Sequence, residues 1–417
     1  VDDRLDERIH FGTFGVVVLY SGVYRANTVL QYVDTAEGMS GATRSRIKAE
    51  AYALRAYYYT WLWKLFGNVP YYDRNPTGPD YLIDQLTADG VYAKIIGDLD
   101  AALTGSGLPK VVKSAELGRF TRAAAQMLRA NVVMYQQDAS RYATVLTDMR
   151  EIIGSGLYSL RSDFAGLWTD SGEWGTESIF EINYTDSPSS RTWENPTKAG
   201  GTVFPTLIGI NGYSGPEWDT GGYGFEPVEE ALYNAYEGDD TRRDATILNF
   251  AKYRQQHPEA TYTPRYDDTG YFNRKYLGRA DGHDKYTGNA PEMNFRNNYR
   301  VWRYAETLLI ASELIVRTNG DRDEADDYLN QVRARAFGMK PGDTAFAAKR
   351  RTATLDNLLL ENRLEFALEG HRFWDLVRYG KAEEVLGSRG YTDAKKHLPI
   401  PQSEIDQAHG TLKQNPY

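Results

Sequence analysis

The feature that most constrains this chain is a helical spacing of apolar residues that fills both ends and is missing from the middle. Beyond Arg46, residues Ile47, Ala51, Leu54, Tyr58, Trp61, Leu62 and Leu65 recur mostly in steps of three and four, which draws one helix face. Ser45 reads as its N-cap, and Gly67 followed by Pro70 ends it. Val91, Ile95, Ile96, Leu99, Ala102 and Leu103 mark a second helix that stops at Gly105. A third opens after Thr121 and runs through Leu128, Val132 and Tyr135. A fourth carries Tyr142, Val145, Leu146, Met149, Ile152 and Ile153 and closes at Gly154. Gly12 to Leu30 stays open: the run Val16-Val17-Val18 prefers a strand locally, while Val17, Tyr20, Tyr24 and Leu30 also fit a helix.

The last third returns to helices. Tyr304, Leu308, Ala311 and Ile315 mark one, and Ala325, Tyr328, Leu329, Val332 and Ala336 its partner. Leu355 to Tyr379, with Leu360, Leu364, Leu368 and Trp374, reads as the longest. Prolines keep the tail from Leu398 to Tyr417 extended. Between these ends, Ser162 to about Tyr299 is rich in Gly, Pro, Asn and aromatic residues. There Ser178 to Asn183 reads as a short strand, and Phe225 to Tyr236 as a short helix before the turn Gly238-Asp239-Asp240. Loops of this length either carry function or pack onto a scaffold. The fold expected is mainly α: a tetratricopeptide-like scaffold of helix pairs with a loop-rich, partly β middle, although no clean period of about 34 residues shows. It reads as one domain over 1–417, with helix pairs at 1–160, a loop-rich ligand-binding region at 161–300, helix pairs at 301–388 and an extended tail at 389–417.

Composition narrows the function. With 48 Lys+Arg against 57 Asp+Glu, the net charge of -9 offers no basic field for a phosphate backbone, so nucleic acid is not the expected partner. The longest apolar stretch, Phe14 to Tyr20, falls far short of the roughly 18 residues of a membrane helix. No cysteine is present, which removes disulfides, thiolate metal sites and cysteine nucleophiles. Val1-Asp2-Asp3-Arg4 is no secretory signal and reads as the trimmed start of a longer precursor.

Acidic residues suggest catalysis at first sight. Glu361, Glu365 and Glu369 step by four along one helix face beside Arg363, Arg372 and Arg378, with His371 and Asp375 nearby. Glu369-Gly370-His371 is not the H-E-x-x-H spacing that puts two imidazoles on one face. The expected role is therefore an ion-pair network tying this helix to its neighbour. Hydrolysis would need two carboxylates flanking a cleft; the middle region offers Asp163, Asp170, Glu173, Asp186, Glu194, Glu217 and Asp219, which sequence alone does not pair. Neither G-x-S-x-G nor G-x-x-x-x-G-K-[ST] occurs, and Gly221-Gly222-Tyr223-Gly224 opens no phosphate-cradling helix. Asp239-Asp240 and Asp267-Asp268 lack the spaced oxygens of a calcium loop, so no cofactor is expected and a structural calcium ion has no support.

Aromatic residues tell more: the chain holds 31 Tyr and 8 Trp. Trp174, Trp193, Tyr213, Trp218 and Tyr223 sit among Asn183, Asn195 and Asn211, a mixture suited to a sugar. The C–H face of a pyranose stacks on a ring while its hydroxyls take amide and charged partners. For any single ring, burial against the scaffold competes with this role, and Trp168 reads as buried. For the region as a whole, binding is favoured.

Seven ordered blocks stand out: AEAYALRAYYYTWLWKLFGNVPYY (49–72), ESIFEINY (177–184), YEGDDTRRD (236–244), VWRYAETLLIASEL (301–314), LNQVRARA (329–336), LLLENRLEFALEGHRFWDLVRYG (358–380) and the ending HLPIPQSEI…LKQNPY. Together they resemble the SusD/RagB family of surface glycan-binding lipoproteins from Bacteroidota-type outer membranes. The resemblance implies a non-enzymatic receptor that captures oligo- or polysaccharide at the cell surface for nutrient uptake and polysaccharide utilization. Its partner would be a SusC-like TonB-dependent transporter, on which it sits as a lid. The family's ligand residues come mostly from the loop after its first helix and from middle loops, here Tyr71 to Asn75 and Asp186 to Tyr223. Residue chemistry within those loops and beside them selects Tyr72, Asp73, Asn75, Trp174, Trp193, Tyr213, Trp218 and Tyr223 as ligand contacts. The family's lipidated cysteine is not in this sequence, so a lipid anchor is inferred only. Alternatives are capture of peptides or another small nutrient on the same scaffold, glycoside hydrolysis, and a helical scaffold for protein partners.

Overall fold

A computed structural model describes residues 3–186, 191–195, 198–283 and 290–416, with side chains from Val16 onward except Pro79. Parts of three expected regions, residues 1–2 at the start, 187–190, 196–197 and 284–289 of the middle loops and Tyr417 of the tail, lie outside the described residues. The chain forms two compact units: residues 1–148 with 373–417, and residues 149–372.

The first unit is built on α1 (Asp3–Tyr32), α2 (Gly41–Phe66), α3 (Ala88–Leu103) and α4 (Arg122–Gln136); α5 (Tyr142–Gly154) crosses the division. The undecided segment 12–30 is helix, so one helical face outweighs the local strand preference of three valines. The N-cap of α2 is Ser40, whose hydroxyl accepts from the Thr43 N–H, and not Ser45. Thr87 and Thr121 cap α3 and α4 in the same way. Ala53, Ala56, Tyr59 and Leu62 of α2 are buried without exposure. Arg55, buried on that helix, donates to Asp98 of α3 at 2.6 and 2.8 Å and to Asn27 of α1 at 2.8 Å, so one guanidinium ties three helices. The tail packs over the end of α2: the Leu398 N–H bonds the Leu65 carbonyl, and the Asn415 amide the Phe66 carbonyl. It also forms the short helix Gln402–Gln407, which the prolines did not suggest.

The second unit pairs the helices Tyr304–Arg317 and Arg322–Ala336, followed by Leu355–Glu365. Two small antiparallel sheets join β1 (Ser178–Ile182) to β4 (Tyr299–Arg303), and β2 (Ile247–Asn249) to β3 (Tyr271–Asn273). Two helical expectations need correction. The helix from Leu355 ends at Glu365 and a new one starts at Arg372, because Leu368 and Gly370 take left-handed conformations. Only Glu230–Tyr233 of the stretch Phe225–Tyr236 is helical; Glu226 is left-handed and Pro227 follows it.

The core of this unit is ionic as well as apolar. Glu177, Asp240, Glu361, Glu365 and Glu369 face Arg242, Lys275, Arg303, Arg333 and Arg335, and no member is more than 5% exposed. Arg242 reaches Asp240, Glu361 and Glu365 at 2.8–2.9 Å. Arg303 reaches Glu177, Glu365 and Glu369 at 2.5–3.0 Å. Five negative charges meet five positive ones, so the layer is buried without net charge.

Candidate functional site

In the second unit three rings form an aromatic face. Trp193 and Tyr223 lie nearly parallel, 13° apart with centroids at 6.4 Å, and Phe225 meets Tyr223 edge-on at 68° and 5.9 Å. Trp193 is 48% and Phe225 39% exposed, while Tyr223 is half-buried. The Arg265 guanidinium covers Phe225 at 5.1 Å and donates to the Tyr223 carbonyl.

Backbone hydrogen bonds fix this face. The N–H groups of Tyr223, Gly224 and Phe225 donate to the carbonyls of Thr206, Gly209 and Leu207 at 2.7–2.9 Å. Gly222 permits the approach, since a Cβ there would lie 2.2 Å from the Gly209 carbonyl carbon. On the other side, the Trp193 indole N–H donates to Glu292 Oε1 at 2.8 Å. Glu292 sits in the turn Pro291–Met293, and its carbonyl accepts from the buried Thr206 hydroxyl at 2.6 Å. Asn294 then donates to the Arg191 carbonyl at 3.0 Å, holding the base of the Trp193 loop.

Two of the expected contact residues are corrected. Tyr213 and Trp218 are only 3% and 2% exposed, inside an apolar cluster with Ile210, Leu248, Phe250 and Phe272. The Tyr213 hydroxyl donates to the Pro216 carbonyl, and the Trp218 ring is flanked by Arg274 and Arg279. Neither presents a ring face to a ligand; they pack the loops. Trp174 is half-buried, its indole N–H donating to Asn183 Oδ1 at 2.7 Å, and among the described residues it makes no ring contact with the Trp193 face. Phe225, Arg265 and Glu292 were missed. The i, i+2 spacing of Tyr223 and Phe225 was the available signal; nothing local flags the other two.

The remaining three lie in the first unit. Tyr72 and Asn75 line a cleft of about 760 Å³ with Tyr20, Tyr24, Tyr81 and Leu82. The Tyr72 hydroxyl donates to the Tyr81 carbonyl at 2.9 Å, and Asn75 to the Thr28 hydroxyl at 2.8 Å. The Asn75 Oδ1 atom is buried without a partner. Asp73 is exposed beside them, its carbonyl accepting from Arg55.

The carboxylates that suggested catalysis are committed elsewhere. Burial alone would raise the Glu369 carboxyl, but Arg303 and Lys275 beside it hold it below the usual carboxylate range. The Glu365 carboxyl is likewise lowered, burial being outweighed by Arg335, Arg303 and Arg242. His371 stacks on Phe366 at 4.8 Å, and Asp375 pairs with Arg378. Among the middle-loop acids, Asp170 and Asp186 both bind Arg296. Asp219 contacts His283 at 3.1 Å. Asp239 and Asp240 are taken by Lys349 and Arg242. Among the described residues no three such side chains converge as a metal site.

Scaffold and site together define a helical binding module with an aromatic face, and comparison with known proteins agrees. Residues 176–396 match the model of the SusD family, and residues 16–134 a second one described as starch-binding and associating with the outer membrane. The chain is 43% identical to surface glycan-binding protein A from Bacteroides thetaiotaomicron, solved in complex with laminarihexaose. That match covers 96% of this chain and 84% of the other at a TM-score of 0.86. A laminarin-binding SusD-like protein is 33% identical over 95% of this chain and 84% of its own, with a TM-score of 0.84. SusD-like protein P25 from Formosa agariphila is 25% identical over 93% of this chain and 75% of its own length. The chain belongs to the SusD family, and its fold is the family's tetratricopeptide-like helical one.

Proposed function

We propose that this protein is a non-catalytic receptor for a laminarin-type glucan at the outer membrane, and that it passes the glycan to a SusC-like TonB-dependent transporter. The nearly parallel pair of exposed Trp193 and half-buried Tyr223, with Phe225 turned through 68° beside it, is the observation that carries this reading. Two rings in one orientation suit consecutive sugar faces, and the turned third ring suits a curved chain better than a flat ribbon. The laminarihexaose complex of one similar protein and the laminarin binding of another support the choice of glucan. Tyr72, Asp73 and Asn75 form a second candidate contact region in the same reading, and Trp174 a third. The binding step uses no cofactor; delivery to the transporter and anchoring by lipid follow from the family.

Calorimetric titration with laminarihexaose tests the proposal. Wild-type protein is expected to bind, and Trp193→Ala to weaken binding by about 1–3 kcal/mol, the scale of stacking in the analogous base–aromatic case. Equal binding by both proteins would remove the face from the site. Heat of binding from a peptide mixture and from no glucan would overturn the ligand class, and new reducing ends after incubation with laminarihexaose would overturn the non-catalytic reading.

A further inference from the structure

The position of the Trp193 ring poses a separate question. Among the described residues 191–195, no helix or strand orients it. An indole in such a loop has two free side-chain torsions, and a ligand that had to order it would lose affinity. Two contacts fix the ring: its parallel placement on Tyr223, and the 2.8 Å hydrogen bond from its N–H to Glu292 Oε1. Glu292 is itself anchored, because the buried Thr206 hydroxyl donates to its carbonyl at 2.6 Å. The Thr206 carbonyl meanwhile accepts the Tyr223 N–H at 2.8 Å. Thr206 thus holds both halves of the face, Tyr223 directly and Trp193 through Glu292.

We propose that Glu292 is a positioning residue for glycan binding: its carboxylate clamps the Trp193 indole in register with Tyr223, so that the two rings are presented together before the sugar arrives. This rests on the assignment of the Trp193–Tyr223 face as the glycan site. The clamp needs an acceptor at Oε1 and does not need the charge. Glutamine in place of Glu292 therefore keeps it, whereas alanine removes it and frees the ring. Phenylalanine in place of Trp193 keeps a stacking face but has no N–H to hold.

A double-mutant cycle with laminarihexaose as the probe tests this, with melting temperature recorded for every variant. Glu292→Ala is expected to weaken binding about five- to tenfold, the scale of one immobilised side chain, with Glu292→Gln within about twofold of wild type. In a Trp193→Phe background, Glu292→Ala is expected to cost nothing further, since no indole N–H remains. Tryptophan emission should shift in Glu292→Ala, and the shift should be absent when Trp193 is phenylalanine. If Glu292→Ala weakens binding as much in the Trp193→Phe background as in wild type, the clamp is refuted and the carboxylate acts elsewhere. Loss of binding in both Glu292→Ala and Glu292→Gln, with no change in emission, would also overturn it. If Trp193→Ala itself leaves binding intact, the site assignment has failed and not the clamp alone.

Discussion

The ionic layer and the aromatic face of the second unit use carboxylates in opposite ways. In the layer, Glu361, Glu365 and Glu369 are buried and each meets an arginine or lysine; at the face, the half-buried Glu292 accepts an indole N–H. The acids that stand out in the sequence by regular spacing build the scaffold. Glu292, at the proposed binding face, has no pattern around it. Prominence of charge along a helix is thus a guide to packing, while the proposed binding face lies where rings leave the core.

Perturbing each region separately should separate stability from binding. Glu365→Ala strips a partner from Arg242, Arg303 and Arg335 inside the protein and is expected to cost about 3–5 kcal/mol in denaturant unfolding. The folded fraction should still bind laminarihexaose. Trp218→Ala, at a buried ring, should cost a similar or slightly smaller amount, about 3–4 kcal/mol, again without changing the affinity of folded protein. Trp193→Ala should do the reverse, weakening binding on the stacking scale given above with a melting temperature within a degree or two of wild type. If Trp218→Ala abolished binding while Trp193→Ala did not, the assignment of the two rings would be inverted.

A further expected effect concerns pH. Burial pushes the Lys275 ammonium down to about 8, although Glu369 lies 2.6 Å away. In the unfolded chain it titrates near about 10.4, so the folded state binds this proton less readily. The cost is full below about pH 8 and disappears as pH rises through the unfolded value. Wild-type stability relative to Lys275→Met should therefore rise between about pH 8 and pH 10. A flat difference across that window would show that the ion pair compensates burial completely.

Much of the scaffold could be read from the residues alone. The helices at 88–103, 122–136, 142–154, 304–317 and 322–336 follow from apolar spacing, Thr and Asp caps and terminal glycines. Where the reading slipped, a local signal competed with a tertiary one. Ser45 can cap a helix but lies within α2, and Gly370 sits inside an apparently continuous pattern that it interrupts. At the candidate face the residue types stand out in the sequence, but their exposure does not. Trp193 and Tyr223 differ from Trp218 and Tyr213 in burial, which depends on residues 210–277 closing around the latter pair and leaves no mark in the sequence.

The most direct measurement of the central claim is a crystal structure of this protein with laminarihexaose. The account predicts glucose rings lying on Trp193 and Tyr223, with Phe225 and Arg265 at the bend of the chain. An ordered hexaose bound elsewhere, with the Trp193–Tyr223 face bare, would contradict it.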